Sequence, residues 1–289
     1  MPKQRLDIAL VERNLARSRT IAAQLIAAGK VAINNKVATK ASQLVDDITE
    51  IVVTAEPIAA SRAAHKLSGA LAALNEAGIL PEIRSSKALD IGASTGGFTE
   101  VLLKNGAAKV IALDVGHNQL IPELRADERV ITIEGVNARY LTSDQLPYAP
   151  DIITADLSFI SLTFIFPVLP KIAQPNAAAI LLIKPQFEVG KEQLGKGGLV
   201  RDPNLIAQTL IKVLEKAVAN GLEPIAVIPS PITGENGNRE FFLYAKISPG
   251  APFNSEVLSN AAQAAVGWAS TDSTQPTNPP VIALLAPTG

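Results

Sequence analysis

Apolar positions in the first thirty residues recur at helical spacing, at Leu6 and Leu10 and again at Ile21 and Leu25. That spacing predicts two short amphipathic helices over 5–15 and 18–28, the second capped by Ser18 and ended by Gly29. The segments VAIN from Val31 and ITEIVV from Ile48 alternate with period two, as half-buried strands do. Residues 1–56 therefore read as a compact unit of two helices and a β-hairpin, and 57–64 as a linker. From Lys87 onward the runs KALDI, VIALD, VITIE, DIITAD and AILLIK are each followed by a turn or helix signal. This is the pattern of a parallel, doubly wound α/β sheet. After a helix over 204–219 come IAVIPS and REFFLYAKI with no long helix between them, so the last strand can return antiparallel. The main domain is expected to span 65–249. Beyond Pro249 the chain is rich in Pro, Ala, Ser and Thr, and 250–289 reads as a poorly ordered tail.

Composition narrows the function. With 47 % apolar and 18 % charged residues among 289, global disorder is excluded and two domains are the natural reading. There is no cysteine, which removes disulfides, zinc–thiolate sites and cysteine nucleophiles, and only His65 and His117 supply imidazole, so no metal site is expected. The formal charge is −1, yet residues 1–40 hold eight Lys/Arg against two Asp/Glu, which leaves −7 for the remainder. Positive charge concentrated at one end suits phosphate contacts, and Arg5, Arg17, Arg19 and Lys30 are the candidates for making them. No apolar run approaches the roughly 18 residues of a membrane span, and MPKQRLDIALVERN lacks a signal peptide's uninterrupted apolar core. A cytoplasmic location is the expectation.

LDIGASTGGFTEVLL at 89–103 is a strand, a glycine-rich turn and a helix start, where glycines let a ligand approach the backbone and the helix N-terminus. The turn residues Gly92, Ala93, Ser94, Thr95, Gly96, Gly97 and Phe98 form the candidate cofactor cradle. Asp114 closes the next strand, 18 residues after Gly96, where a carboxylate accepts hydrogen bonds from ribose hydroxyls. A nucleoside cofactor follows. A dinucleotide is disfavoured because Ser94 stands where G-x-G-x-x-G needs glycine. Gly92 to Gly96 also matches the G-x-S-x-G nucleophile elbow, but the one histidine after Ser94 is His117, one strand later, which breaks the Ser, acid, His order. GKEQLGKG at 190–197 resembles a P-loop, yet Gly197 occupies the position of the Mg-binding Ser/Thr, so it reads as a mobile loop over a site.

Asp156 and Lys184 end the fourth and fifth strands, on the edge where such sheets bind ligands. If the final strand is antiparallel, its first residues, Arg239 and Glu240, lie at that same edge.

At these residues the sequence resembles the TlyA family, bacterial ribosomal RNA 2′-O-methyltransferases formerly labelled haemolysins, in which an S4 domain precedes an FtsJ-like methyltransferase domain. RLDIALVERNLARSRTIAAQLIAAGKVAIN resembles the S4 module, and HKLSGAL, LDIGASTGGFTEVLL, ALDVG, GVNAR, ADLSFIS, IKPQFE, GKGGLVRDP and GNREFF follow in family order. The resemblance implies a Rossmann-like methyltransferase sheet, S-adenosyl-L-methionine as cofactor and a cytidine ribose in ribosomal RNA as substrate. It places the family's Lys-Asp-Lys-Glu tetrad on Lys66, Asp156, Lys184 and Glu240, with Lys184 as general base, and adds Asn137 and Asp156 to the cofactor set. A free lysine has a pKa near 10.4, so a base role requires burial and the Lys66 charge to act against the two carboxylates.

The family's aromatic-Val-Ser-Arg-Gly-Gly linker is replaced by Ala59-Ala60-Ser61-Arg62-Ala63-Ala64, without the aromatic or the glycines. Two other readings compete. A pore-forming haemolysin would need a membrane-seeking amphipathic segment, whereas the periodic helices here belong to compact domains. A non-catalytic RNA-binding assembly factor would not need all four tetrad residues.

Overall fold

The structure, a computed structural model, describes residues 3–13, 15–16, 19–27, 29–34, 36–53, 62–234, 236–248, 254–270 and 279–284. The chain divides into two compact units, 1–59 and 60–289.

The first unit contains β1 (Gln4–Arg5), α1 (Leu6–Glu12), α2 (Arg19–Ala27), β2 (Val31–Ile33), β3 (Lys36–Val37), β4 (Leu44–Val45) and β5 (Ile51–Val53). β3, β2 and β5 form an antiparallel sheet with Val31 opposite Val53, and β1 pairs with β4. The expected strand pair is present, with β3 and β4 inserted between its halves. Leu6, Leu10, Ile26, Val31 and Val45 are buried together as its core, with Leu25 packed against them. Ser18 and the side chain of Ile21 lie outside the described residues.

The second unit begins with α3 (Arg62–Glu76), so 62–64 are helical rather than linker, and 54–61 lie outside the described residues. Then follow β6 (Lys87–Ile91), α4 (Gly97–Lys104), β7 (Lys109–Asp114), α5 (Pro122–Arg125), β8 (Val130–Glu134), β9 (Ile152–Ala155), α6 (Leu169–Ile172), β10 (Ala178–Ile183), α7 (Pro185–Glu188) and α8 (Pro203–Ala219). The unit closes with β11 (Leu222–Pro229), β12 (Phe241–Ile247), α9 (Ser255–Ser270) and β13 (Ile282–Ala283). The strands make one eight-stranded sheet in the order β13-β11-β12-β10-β9-β6-β7-β8. β10, β9, β6, β7 and β8 are mutually parallel, and β12 returns antiparallel between β10 and β11. Every residue of β10 is buried, as a central strand covered on both faces requires. β6 and β7 run to one side of the sheet and β9 and β10 to the other, so the strand order reverses between β6 and β9. That reversal opens a crevice at the carboxyl ends, where open α/β sheets bind ligands.

The expectation of a poorly ordered tail is overturned for 255–270 and 279–284. Leu258, Ala261, Ala262, Ala265, Val266 and Ala269 recur at helical spacing and are buried in the main core, where α9 packs on α8 and β11. Their small side chains let the helix lie close to its neighbours, and β13 adds the edge strand beside β11. Reading the segment by its Pro, Ala, Ser and Thr content hid the alanine stripe. Because Leu258 is buried, Leu258→Ala is expected to lower unfolding stability by about 2–4 kcal/mol through lost burial and a residual cavity. Denaturant melts measure it, and an unchanged midpoint would return α9 to the status of an undocked tail.

Candidate active site

Gly92 follows β6 at the crevice with φ +80°. A Cβ there would stand 2.7 Å from the backbone oxygen of Asp156, so the close approach of the two strand ends admits only glycine. The turn continues through Ser94, also left-handed, to Gly96 and the start of α4. Asp114, the last residue of β7, holds this turn in place. One of its carboxylate oxygens accepts from the Ser94 N–H and the other from the Gly116 N–H, both at 2.8 Å. A carboxylate has roughly four acceptor positions, so two remain for the hydroxyls of a ribose. Ser94 and Thr95 are exposed, while Ala93 and Gly97 are buried. Phe98 is buried as well, its ring 6.0 Å from that of Phe242, so its ring braces the fold and only its backbone can serve a ligand. Asn137 caps the short turn Ala138–Tyr140 after β8, accepting from the Arg139 N–H at 3.1 Å.

Beneath the turn, Asp90 is fully buried and accepts from Thr99 Oγ1 at 2.7 Å and Thr154 Oγ1 at 3.1 Å. Burial pushes its carboxyl up to about 7, the two hydroxyls oppose that, and the nearby charge of Asp156 adds to it.

Two lysine–carboxylate pairs stand at the same edge. Lys184, one residue beyond β10, places Nζ 2.7 Å from Asp156 Oδ1 and donates to Ser158 Oγ at 2.9 Å. Lys66 lies on the buried stripe of α3 with Leu67, Ala70 and Leu74, and its Nζ is 2.6 Å from Glu240 Oε2. Glu240 precedes β12, whose Phe241 is opposite Ile183 of β10, so the register brings Glu240 and Lys184 to adjacent strands. Gln186, two residues after Lys184 in the chain, donates to Glu240 Oε1 at 3.3 Å. Arg62 donates to the Thr233 carbonyl at 2.6 Å, which fixes the start of α3 against the segment leading to Glu240. A Cβ at Gly234 would fall 2.5 Å from Glu240 Oε1, so a larger residue there would displace the Glu240 carboxylate. The proposed tetrad residues thus occupy one edge, although α3 itself was not foreseen as their carrier.

Two aromatic rings at this edge escaped the sequence reading. Phe159 is 91 % exposed with φ +63°, and its ring centroid is 5.3 Å from that of Phe187. Lys184 Nζ lies 5.9 Å from the Phe187 centroid. The signal was available, since each strand-end charge is followed three residues later by phenylalanine, in Asp156-Leu157-Ser158-Phe159 and Lys184-Pro185-Gln186-Phe187. The GKEQLGKG loop follows α7, and its far end is pinned by Asn238, which accepts from the Val200 N–H and donates to the Gly198 carbonyl.

In the first unit Arg5 and Arg19 converge on one carboxylate. Arg5 binds Asp7 through two bonds of 2.9 and 3.0 Å, and Arg19 Nη2 adds a third at 3.1 Å. The two guanidinium groups hold the Asp7 carboxyl down to about 2. Arg19 and Lys30 are exposed and Arg5 is partly exposed, while Arg17 lies outside the described residues. Among the described residues no helix is long and apolar enough to cross a membrane.

Comparison with known proteins fits this geometry. The model of the FtsJ-like methyltransferase family matches residues 59–247, and that of the S4 domain matches residues 4–51. The chain is 44 % identical over 266 residues to the 16S/23S rRNA (cytidine-2′-O)-methyltransferase TlyA of Mycobacterium tuberculosis, covering 91 % of this chain and 97 % of that protein. It is 40 % identical over 243 residues to Hemolysin A of Brachyspira hyodysenteriae, covering 83 % of this chain and 98 % of the relative. A solved Streptococcus thermophilus protein that carries a hemolysin name shares the fold with a TM-score of 0.68 at 36 % identity, over 92 % of this chain and 96 % of that one.

The buried carboxyl of Asp90 gives a pH prediction. Its folded value of about 7 lies above the ordinary 3.8, so its contribution to stability is complete below pH 3.8 and is lost as pH rises toward 7. Asp90→Asn stays neutral and keeps one acceptor and one donor for the two threonines. The variant is therefore expected to outlast the parent in thermal melts at pH 8, with the gap closing toward pH 5. Parallel melting curves across that range would mean that Asp90 folds as the carboxylate.

Proposed function

The chain belongs to the FtsJ-like methyltransferase family, and from that premise we propose that it transfers the methyl group of S-adenosyl-L-methionine to the ribose 2′-hydroxyl of a cytidine in ribosomal RNA. The observation that carries this reading is the pair of buried lysine–carboxylate contacts beside a ribose-suited carboxylate on one sheet edge. The cofactor would be held by the Gly92–Gly96 turn and by Asp114, with Asn137 and Asp156 at the rim. When bound, S-adenosyl-L-methionine supplies an electrophilic methyl group on a sulfonium.

The chain's own residues have three tasks. Lys184, once it has released its own proton to solvent, accepts the proton of the attacking hydroxyl and returns to the ammonium form, and Asp156 and Ser158 fix the position of its Nζ. The Lys66–Glu240 pair, to which Gln186 donates, fixes the Glu240 carboxylate at the same edge. Phe159 and Phe187 offer a stacking face for the base attached to that ribose, because every nucleobase has an aromatic face and the Phe159 ring is almost fully in solvent. The first unit supplies affinity for the phosphate backbone through Arg5, Arg19 and Lys30, whose charges read no sequence.

Lys184→Ala is expected to lower methyl transfer by roughly 10²- to 10⁴-fold while leaving cofactor affinity nearly unchanged, because a general base acts in the transition state. Single-turnover methylation and calorimetry with S-adenosyl-L-methionine separate the two effects. Activity within a few-fold of the parent would move Lys184 from base to positioning group. Mass spectrometry of ribosomal RNA from cells with and without the protein tests the substrate, and the absence of any 2′-O-methyl difference would refute it.

RNA affinity should also fall steeply with salt, with a log–log slope of about −0.7 to −0.9 per phosphate contacted. Replacing both Arg5 and Arg19 by alanine should flatten that slope by up to about two contacts. An unchanged slope would mean that their pairing with Asp7 is purely structural.

A further inference from the structure

Glu188 is the last residue of α7 and takes no part in the chemistry described above. Among the described residues no cation pairs with its carboxylate. It is spent instead on one neighbouring loop, accepting from Ser161 Oγ at 2.6 Å and from the Leu162 N–H at 2.7 Å. Burial pushes the Glu188 carboxyl upward, and these two bonds oppose that shift.

The loop it holds is the one that carries Phe159. Segment 158–162 is fastened to segment 184–188 in three places, in matching order along both. Ser158 accepts from Lys184, Phe159 faces Phe187, and Ser161 with Leu162 binds Glu188. The near fastening belongs to the proposed catalytic lysine and the middle one is a ring contact open to solvent, so Glu188 is the far anchor. Phe159 needs such an anchor. Its left-handed backbone is an outlier for a bulky residue, and such strain persists only where the surroundings over-determine it. Ser161 also caps the turn Leu162–Phe164 by accepting from the Thr163 N–H at 3.2 Å. Loss of the Glu188 acceptors would thus free the loop from its capped end as far as Phe159.

We propose that Glu188 is a positioning residue for substrate RNA, acting through two hydrogen bonds that hold the Phe159 loop in its strained, outward-facing form. The inference rests on the reading of Phe159 as a base-stacking ring. It predicts a defect in RNA engagement, with cofactor binding and the chemical step spared.

A mutant cycle tests it. Phe159→Ala and Glu188→Ala should each raise KM for ribosomal RNA by roughly tenfold, the scale of one lost base–aromatic stack. Both should keep kcat and S-adenosyl-L-methionine affinity within about twofold of the parent. The double variant should be no worse than Phe159→Ala, since residues acting as one unit are not lost independently. Glu188→Gln retains an acceptor and should restore most of the affinity, and Ser161→Ala, which deletes one bond without touching Glu188, should give a partial defect even if Glu188→Ala folds poorly. Multiplicative effects in the double variant, a Glu188→Gln as defective as Glu188→Ala, or a lowered kcat at unchanged KM would each overturn the proposal. A substrate-free arm uses fluorophenylalanine placed at position 159. Its ¹⁹F resonance should be single in the parent and in Glu188→Gln, but broadened or shifted in Glu188→Ala. An unaltered resonance in Glu188→Ala overturns the anchoring role even if no RNA is methylated, whereas a parent that orders the ring yet methylates no RNA refutes the functional reading alone.

Discussion

Two ammonium groups are withdrawn from water at the carboxyl edge of the sheet, and each is tolerated because a carboxylate lies within 2.7 Å of it. Burying a charge costs several kcal/mol unless the partner geometry is good, and removing one partner strands the other. The pairs therefore dictate much of what surrounds them. Asp156 and Lys184 follow neighbouring parallel strands, and because Ala155 is opposite Leu181, β10 runs two residues beyond β9, a gap the long lysine side chain spans to reach Asp156. Glu240 reaches them because β12 runs the other way, which puts its first end at the carboxyl edge of the rest. Lys66 comes from a helix outside the sheet, and that helix must pack closely enough to deliver a lysine through its own buried face.

Charge is arranged differently in the two units. In the first, the partly exposed Arg5 and the exposed Arg19 share the buried Asp7, so the carboxylate fixes their direction while one net positive charge remains over the three groups. Without them the Asp7 carboxylate would stand buried and unpaired. On the proposed function they present a preset cationic surface, which would lower the entropy lost when a phosphate backbone is engaged. In the second unit the two lysine–carboxylate pairs are matched and largely withdrawn from water, and on the same proposal they would define the position of a reacting atom.

The sheet could be read from the sequence because its strands are short apolar runs with glycine or helix signals after them, as at KALDI before Gly92. Its edge residues could be read because a charge ending an apolar strand is conspicuous. Lys66 was reached by family resemblance alone, since a lysine between alanines and leucines reads as a solvated helix position until its partner 174 residues away is known. α9 was lost because alanine carries too little hydropathy to mark a buried stripe, although the 3.6-residue period was intact. The pairing of Arg5 and Arg19 with Asp7 depends on the packing of α1 against α2, which spacing along the chain does not encode. The same holds for Phe98, whose place in the glycine motif suggested a ligand contact and whose ring is in the core.

Two of the strained residues, Ser94 and Phe159, lie where the ligands are expected. Gly92, Ser94 and Gly96 are left-handed around the cofactor turn, and Phe159 is left-handed on the other side of the crevice. Ser85, before the amino end of β6, is left-handed away from the crevice. Asn34, Asn118 and Asn176 also have positive φ, but asparagine visits that region readily, so they need no special support. Serine and phenylalanine do not, at a cost on the order of 1–3 kcal/mol each. The Ser94 amide is held by Asp114, itself the candidate ribose acceptor, and the Phe159 ring by Phe187. In both places the group that holds the strained residue is one that the ligand is proposed to use. Binding there adds contacts to a conformation already formed, so less ordering entropy is lost at the moment of association. The two turns also lie on opposite sides of the β6–β9 reversal. On the proposed function, cofactor and RNA would therefore be gripped from separate walls and brought together where the sheet opens.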